Sequence, residues 1–195
     1  MEKIILASAS PRRSEILKAV GIPFEVVCSD ADEGSVTKDC GARLYVQELA
    51  LLKASAVAKT LVGKKNLIVA ADTVVVSEGE ILGKPADEAD AREMLARLSG
   101  RVHEVMTGIC IIRLSDAFTV CDTVTTKVYF KELAPELIDA YVSTGEPMDK
   151  AGAYGIQGRG AVLCDRIEGD YFNVVGLPAS RLCEILSAEF GINIF

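Results

Sequence analysis

Several features that common functional sites require are absent from this chain. It has one histidine, His103, and its six cysteines form no Cys-x-x-Cys pair and no zinc-ligand spacing. No Gly-x-Ser-x-Gly or His-Glu-x-x-His sequence occurs, so acyl-transfer and zinc-protease chemistry have no support. The apolar run after Lys3 is too short for a signal peptide or a membrane span. We therefore expect a cytoplasmic protein with reduced cysteines and a structural histidine.

Positive charge is also scarce. The 195 residues carry 21 lysines and arginines against 28 acids, a formal net charge of −7, and no basic stripe is visible. Neither a nucleic-acid polymer nor a membrane is therefore expected as a partner. A chain of this length buries roughly 70% of its unfolded surface, so it needs neither disulfides nor metal to fold. We predict a single domain over residues 1–195, or two small lobes sharing a cleft. The oligomeric state is left open, with a homodimer as one candidate.

The order of apolar runs predicts a mixed sheet with covering helices, an α/β or α+β architecture. Strands are expected at 3–7, 24–28, 67–71, 74–76, 102–114, 117–130 and 161–164. Helices are expected at 11–20, 44–62, 87–98, 135–143 and 179–190. A hairpin turn at Ser115 and Asp116 would place Cys110 opposite Cys121, as neighbouring thiols rather than a disulfide.

The segment 8–13, Ser-Ala-Ser-Pro-Arg-Arg, joins the first strand to the first helix. Ser10 takes the N-cap position, and the proline after it takes the first helical position. Arg12 and Arg13 fall in the first turn, where each cation costs roughly 0.3–1 kcal/mol unless an anion balances it. A bound phosphate would use free backbone N–H groups, both guanidinium groups and the hydroxyls of Ser8 and Ser10. We predict an anion site here; the other interpretation is two solvated arginines on a surface helix.

Two acids are candidates for catalysis or metal binding. Asp72 comes directly after the buried strand 67–71, where a side chain is fixed at the rim of a sheet. Glu33 lies in the acidic loop 30–34 and is the natural second acid. Mg²⁺ usually takes one or two protein carboxylates together with phosphate oxygens. The alternative without a function is that Asp72 only starts a turn and that Glu33 is only a solvated charge in a loop.

Three lysines and a glycine-rich loop could contact a phosphorylated ligand. Lys53 lies in the helix 44–62, Lys84 lies between a glycine and a proline that fix its backbone, and Lys150 begins the loop 150–160. The loop is neither a Walker A loop nor a dinucleotide fingerprint, but its glycines let a ligand approach the backbone closely. Within it, Gln157 offers the donor and acceptor that reading a nucleobase edge requires.

These motifs together resemble the Maf-like family, which is named for septum formation and regarded as nucleotide pyrophosphatases. The matching blocks, in order, are residues 8–13, 71–75, 83–85, 107–108 and 145–158. They span nearly the whole chain, and the ordered set is far more specific than any single block. The resemblance implies one α/β domain whose two lobes surround a central cleft, as in inosine triphosphate pyrophosphatases.

The resemblance also implies an activity in nucleotide house-cleaning. It is the hydrolysis of a nucleoside triphosphate to the monophosphate and pyrophosphate with a divalent metal, Mg²⁺ or Mn²⁺. The family's proposed catalytic acid corresponds to Asp72. Its substrate-discriminating positions correspond to Arg13, Thr73 and Gln157, a combination similar to the branch that acts on dTTP and UTP rather than 7-methyl-GTP. Its other charged cleft residues correspond to Glu33, Lys53 and Lys84.

For this reaction we expect water to attack the α-phosphorus in line. Arg12, Arg13 and the helix N-terminus would hold the triphosphate, while Lys84 and the metal neutralise charge as the bond breaks. Asp72 would orient or deprotonate the water with help from Glu33, and which acid is base and which is metal ligand stays open. Two other hypotheses remain: a pyrophosphatase for purine or 7-methyl-GTP substrates, and a nucleotide sensor that acts on cell division without turnover.

Overall fold

The computed structural model describes residues 2–61 and 66–193. Seven strands lie in these residues: β1 (Lys3–Leu6), β2 (Phe24–Val26), β3 (Asn66–Ser77), β4 (Glu80–Leu82), β5 (Val102–Arg113), β6 (Thr119–Phe130) and β7 (Cys164–Glu168). The α-helices are α1 (Pro11–Ala19), α2 (Ala42–Thr60), α3 (Glu88–Leu98), α4 (Pro135–Val142), α5 (Tyr171–Val175) and α6 (Ala179–Phe190). None of the helices in these residues is long and apolar enough to cross a bilayer.

The strands form one mixed sheet in the order β2-β1-β3-β5-β6-β7, with β4 paired to β3. β1 runs parallel to both β2 and β3, whereas β4 and β7 run antiparallel to their partners. Parallel neighbours need crossover connections, and α1 and α2 provide them. The predicted mixed sheet with covering helices is confirmed. The central cleft that the resemblance implies stays a prediction.

The chain divides into two compact units. Unit 1 comprises Met1–Asp72, Thr107–Val124 and Gly176–Phe195; unit 2 comprises Thr73–Met106 and Thr125–Val175. In unit 1, α2 packs against β1, β3 and β5 through small and branched residues, so the helix lies close to the sheet. This cluster contains Ile5, Ala7, Ala50, Ala54, Val57, Ile68, Ala70, Cys110 and Ile112.

Unit 2 has a core of its own. Residues from α3 and α4 pack there with aromatic side chains; the cluster includes Val75, Leu95, Leu98, Phe130, Tyr141, Tyr154 and Leu163. α3 begins where the Asp87 carboxylate accepts a hydrogen bond from the Asp90 N–H at 2.9 Å, as expected for an N-cap.

The predicted hairpin register is confirmed. The Arg113 N–H donates to the Phe118 carbonyl at 2.9 Å, and the Sγ atoms of Cys110 and Cys121 lie 2.7 Å apart. Both thiols are free, as the sequence suggested for neighbouring cysteines.

Two expectations about local structure were wrong, and one helix was missed. Asp72 does not follow a strand: β3 continues from Asn66 to Ser77, so Asp72 lies in its interior, because the apolar run resumes at Val74. Residues 161–164 are not a strand, since Gly158–Leu163 is a 3₁₀ helix and β7 begins only at Cys164. The five-residue helix α5 carried too short a pattern to be recognised. The predicted end of the second helix, Val62, lies outside the described residues, and α2 ends at Thr60.

Candidate active site

Unit 1 brings the two predicted acids to one lysine. The Lys53 ammonium lies 2.5 Å from Asp72 Oδ1 and 3.0 Å from Glu33 Oε1. The side chains of Lys53 and Asp72 are each 13% exposed, whereas Glu33 is 56% exposed. Buried charges of this kind persist only when they are paired, and here two carboxylates surround one cation. These three side chains together carry one net negative charge, and Glu33 is the more exposed of the two carboxylates.

Secondary structure fixes each member of this cluster. Asp72 is held in the interior of β3, Lys53 lies in the middle of α2, and Glu33 begins the 3₁₀ turn Glu33–Ser35. That turn is capped by Asp32, whose Oδ1 accepts the Gly34 N–H at 3.1 Å. A cation on a helix and a carboxylate on a strand have little freedom, so their contact is set by the packing of α2 on the sheet.

Gly108 of β5 permits that packing. A Cβ at this position would overlap the Val46 carbonyl of α2 and would lie 2.7 Å from the Gln47 nitrogen. The Thr123 hydroxyl holds the same helix by donating to the Arg43 carbonyl at 3.0 Å. The block Thr107–Gly108, which the sequence offered only as part of a resemblance, thus has a physical role in placing Lys53.

The hydrogen bonds around Ser8, Ser10 and Arg13 differ from those that the sequence predicts. Ser10 is the N-cap residue of α1, but its side chain makes no capping hydrogen bond. Instead, the buried Ser8 hydroxyl accepts the Ser10 N–H at 3.2 Å and a hydrogen bond from Arg13 Nη1 at 3.1 Å. Arg13 Nε also donates to the Gly176 carbonyl at 2.8 Å. The Arg13 guanidinium is therefore held by the protein and is not a freely solvated group.

Electrostatic coupling links this loop to the acids. Burial lowers the pKa of the Arg13 guanidinium, the negative charge of Asp72 opposes that shift, and Arg12 adds to it. Tyr45 of α2, which sequence reasoning did not select, belongs to the same surroundings: burial raises its pKa first, and the charges of Asp72 and Glu33 raise it further. Tyr45 lies two helical turns before Lys53 on α2. The one sequence signal that could have identified it is its position on the same helix face as Lys53.

The donor chemistry of these residues is compatible with one divalent cation beside phosphate. No cluster of three or more His, Cys, Asp or Glu side chains suited to a metal occurs in residues 2–61 and 66–193. Asp72 and Glu33 supply two carboxylates, the number Mg²⁺ commonly takes from protein when phosphate and water complete its shell. Lys53 engages Asp72 through Oδ1.

In unit 2, the structure brings the segment of Lys84 to the glycine-rich loop. The Gly152 N–H donates to the Gly83 carbonyl at 2.9 Å, and Lys84 itself is exposed. Lys150, predicted as a phosphate contact, places its ammonium 2.6 Å from both the Glu146 carbonyl and Asp149 Oδ1. Two of its three donors thus bind the 3₁₀ turn Glu146–Asp149 that precedes the loop, and its part in substrate binding stays a prediction.

The remaining predicted residues also lie in unit 2. Thr73 directly follows Asp72 in β3 and is half-buried, and Gln157 is exposed in the glycine-rich loop. The roles assigned to these residues from the resemblance stay predictions.

A comparison with family models matches the description "Maf-like protein" over residues 3–189. This chain belongs to the Maf-like family. A dTTP/UTP pyrophosphatase of Alkaliphilus metalliredigens is 52% identical to it over 194 residues, covering 100% of both chains. A dTTP/UTP pyrophosphatase of Acetivibrio thermocellus is 53% identical over 100% of this chain and 98% of its own. One from Bacillus cereus is 48% identical over 100% and 98%, respectively.

Solved structures give a weaker likeness to this Maf-like chain. A HAM1 protein from Coxiella burnetii aligns with 67% of it and 73% of its own length, at a TM-score of 0.47 and 17% identity. A likeness at this level carries no argument, so the similarity to inosine triphosphate pyrophosphatases stays a prediction.

Proposed function

We propose that this Maf-like protein hydrolyses dTTP and UTP, and modified pyrimidine nucleotides of the same shape, to the monophosphate and pyrophosphate. Full-length relatives at about 50% identity that carry this name support the substrate class. The single structural observation that carries the chemistry is the Lys53 ammonium between the Asp72 and Glu33 carboxylates. A mainly buried carboxylate beside a second, exposed one suits the activation of water better than the binding of an anion alone.

Asp72 is the residue assigned to the attacking water. Its carboxylate would orient the water, or accept its proton, for in-line attack on the α-phosphorus. Lys53 holds this carboxylate in one orientation through Oδ1, so little reorganisation is needed in the transition state. Glu33, being more exposed, would assist by accepting a hydrogen bond from the water or by binding the metal.

The start of α1 is assigned to the triphosphate. The backbone N–H groups of its first turn and the positive end of the helix dipole favour an anion. Arg12 and Arg13 lie in that turn, and the Ser8 and Ser10 hydroxyls lie directly before it. Lys84 is assigned to the negative charge that develops on the leaving pyrophosphate.

Mg²⁺ or Mn²⁺, held by Asp72 and Glu33, would supply charge neutralisation at the phosphate oxygens. The base is assigned to Arg13, Thr73 and Gln157, and Lys150 to a supporting phosphate contact. Because the proposed substrates belong to the cytoplasmic nucleotide pool, we place the enzyme in the cytoplasm. The candidate assembly of the enzyme is a homodimer.

A pyrophosphate-release assay tests the proposal. We expect kcat/KM for dTTP and UTP to exceed that for purine triphosphates by about 100-fold or more, because a site that hydrogen-bonds one base edge rejects another strongly. The assay should include 7-methyl-GTP and be run with Mg²⁺ and with Mn²⁺. Binding of nucleotides without release of pyrophosphate would favour a sensor, and a preference for 7-methyl-GTP would assign the chain to another branch.

A further inference from the structure

The glycine-rich loop of unit 2 is built around the carboxylate of Glu146. Its Oε2 accepts the Arg159 N–H at 3.1 Å, and its Oε1 accepts the Gly160 N–H at 3.0 Å. Burial alone would raise the pKa of this carboxyl, but the two backbone hydrogen bonds lower it below its ordinary value. Glu146 is thus an ionised acceptor, and hydrogen bonds to a charged acceptor are about twice as strong as neutral ones.

Tyr141 connects this acceptor to the other end of the loop. Its hydroxyl donates to Glu146 Oε1 at 3.0 Å and accepts the Gly155 N–H at 3.2 Å. The side chain is only 4% exposed, and burial is the main cause that raises its pKa, so the hydroxyl remains a donor. Tyr141 lies in the last turn of α4, and this helix gives a rigid base to its hydrogen bonds with Glu146 and Gly155.

Close contacts between the two ends of the loop leave it little room to move. A Cβ on Gly160 would overlap the Gly155 carbonyl and would come within 2.5 Å of the Tyr141 hydroxyl oxygen. A Cβ on Gly155 would lie 2.8 Å from Lys150 Cε. The glycines therefore allow the chain to close on itself around the buried Tyr141 and the half-buried Glu146.

Gln157 lies between these anchored points. Two residues before it, Gly155 is bonded to Tyr141, and two residues after it, Arg159 is bonded to Glu146. Gly158 has a φ of +68°, so the chain turns immediately after the glutamine. With both flanks held, Glu146 and Tyr141 fix the backbone position from which the exposed Gln157 side chain leaves the loop.

We propose that Glu146 and Tyr141 are positioning residues that set base selectivity by fixing Gln157. The inference rests on the proposed function in one respect, the assignment of Gln157 to the nucleobase. Neither residue is placed at the reacting atoms. Both act through the backbone of residues 155–160.

Two variants test this inference, each with a matched control. Glu146→Gln replaces an acceptor by an amide donor facing the loop N–H groups, and Tyr141→Phe keeps the buried ring but removes the hydroxyl. Glu93→Gln changes an exposed glutamate of α3 in the same unit. Tyr129→Phe removes a surface hydroxyl that also donates to a glutamate, Glu168, at 3.1 Å.

Binding of the non-hydrolysable α,β-imido analogues of dTTP and ATP, measured by calorimetry with Mg²⁺, gives the selectivity ratio without turnover. We expect each test variant to lower this ratio about 10-fold, the same loss that we expect of Gln157→Ala, because a hydrogen-bonded edge is no longer presented correctly. Amide exchange at Arg159 and Gly160 should accelerate about 10-fold in Glu146→Gln, which has lost its charged acceptor. The two controls should match the wild type in both measurements.

An unchanged ratio in Tyr141→Phe, or an equal loss of affinity for both analogues, overturns the inference by reducing the two residues to general stabilisers. Tyr141→Phe decides the matter if Glu146→Gln does not fold. A wild-type protein that prefers the dTTP analogue but releases no pyrophosphate contradicts the enzymatic proposal alone. A wild type that binds both analogues equally overturns the base-reading assignment and this inference together.

Discussion

The buried histidine makes the stability of this protein depend on pH in a predictable way. His103 of β5 is 2% exposed, and its Nε2 lies 2.7 Å from the Tyr154 hydroxyl. The rings of Phe130 and Tyr154 meet it edge-on, with centroids at 4.9 and 5.3 Å. Its Nδ1 has no hydrogen-bond partner among the residues that the structure describes. Burial in these aromatic surroundings lowers the pKa of His103 from 6.5 to about 4.

The sign of the effect follows from which state takes up the proton. Above pH 6.5 both the folded and unfolded chains carry a neutral imidazole, so His103 does not change stability with pH. Below that value the unfolded chain is protonated and the folded chain is not, so the free energy of unfolding decreases as pH falls. Each pKa unit corresponds to about 1.4 kcal/mol, which gives about 3 kcal/mol lost by pH 4 and about 2 kcal/mol between pH 8 and pH 5.

Urea unfolding at pH 8 and pH 5 measures this loss before most carboxylates titrate. His103→Gln is the matched variant, because its amide can still bond Tyr154 but cannot titrate, and the chain then contains no histidine. We expect the wild type to lose about 2 kcal/mol more than the variant between the two pH values. Parallel pH dependences, or a histidine NMR signal that titrates near pH 6.5 in the folded protein, would refute the reasoning.

Three further predictions concern the site and its support. Asp72→Asn should lower turnover on dTTP at least about 100-fold while thermal melting shows a folded protein; Asp165→Asn is the control, and near-normal turnover would remove Asp72 from catalysis. Gln157→Ala should reduce the kcat/KM ratio between dTTP and ATP more than it slows dTTP, and equal losses for every nucleotide would mean that it only supports the loop. Gly108→Ala should destabilise the protein by about 3 kcal/mol in urea unfolding, because its Cβ meets the backbone of α2; a change below 1 kcal/mol would show that the helix shifts freely.

Local sequence signals predicted the elements of the fold well where the pattern was long. The final helix was predicted at 179–190 and is found at Ala179–Phe190, because its apolar residues recur at helical spacing over three turns. The β5–β6 hairpin register followed from one turn, since antiparallel pairing fixes every later pair. The short elements α5 and β7 were not predicted correctly, because a pattern of five residues does not distinguish a helix or strand from a loop.

The candidate site was predictable as residue types but not as geometry. Asp72 and Lys53 were selected for their chemistry, yet a separation of 19 positions says nothing about an ion pair at 2.5 Å. Ser10 makes no side-chain capping hydrogen bond, and it is Ser8 whose hydroxyl accepts from Arg13 five residues later. Glu146 lay within a recognised block but carried no sign that its carboxylate would hold two loop amides.

The sequence by itself determined the family, the order of strands and helices, and which ionisable residues the site could use, since local periodicity and ordered motifs carry that information. Only the tertiary structure decided that Lys53 meets both acids, that Gly108 admits α2 to the sheet, and that Glu146 and Tyr141 close the loop around Gln157. The physical reason is that hydrogen bonds and ion pairs depend on ångström distances between residues far apart in the chain. Those distances are set by how helices pack on the sheet, and no local stretch of sequence encodes them.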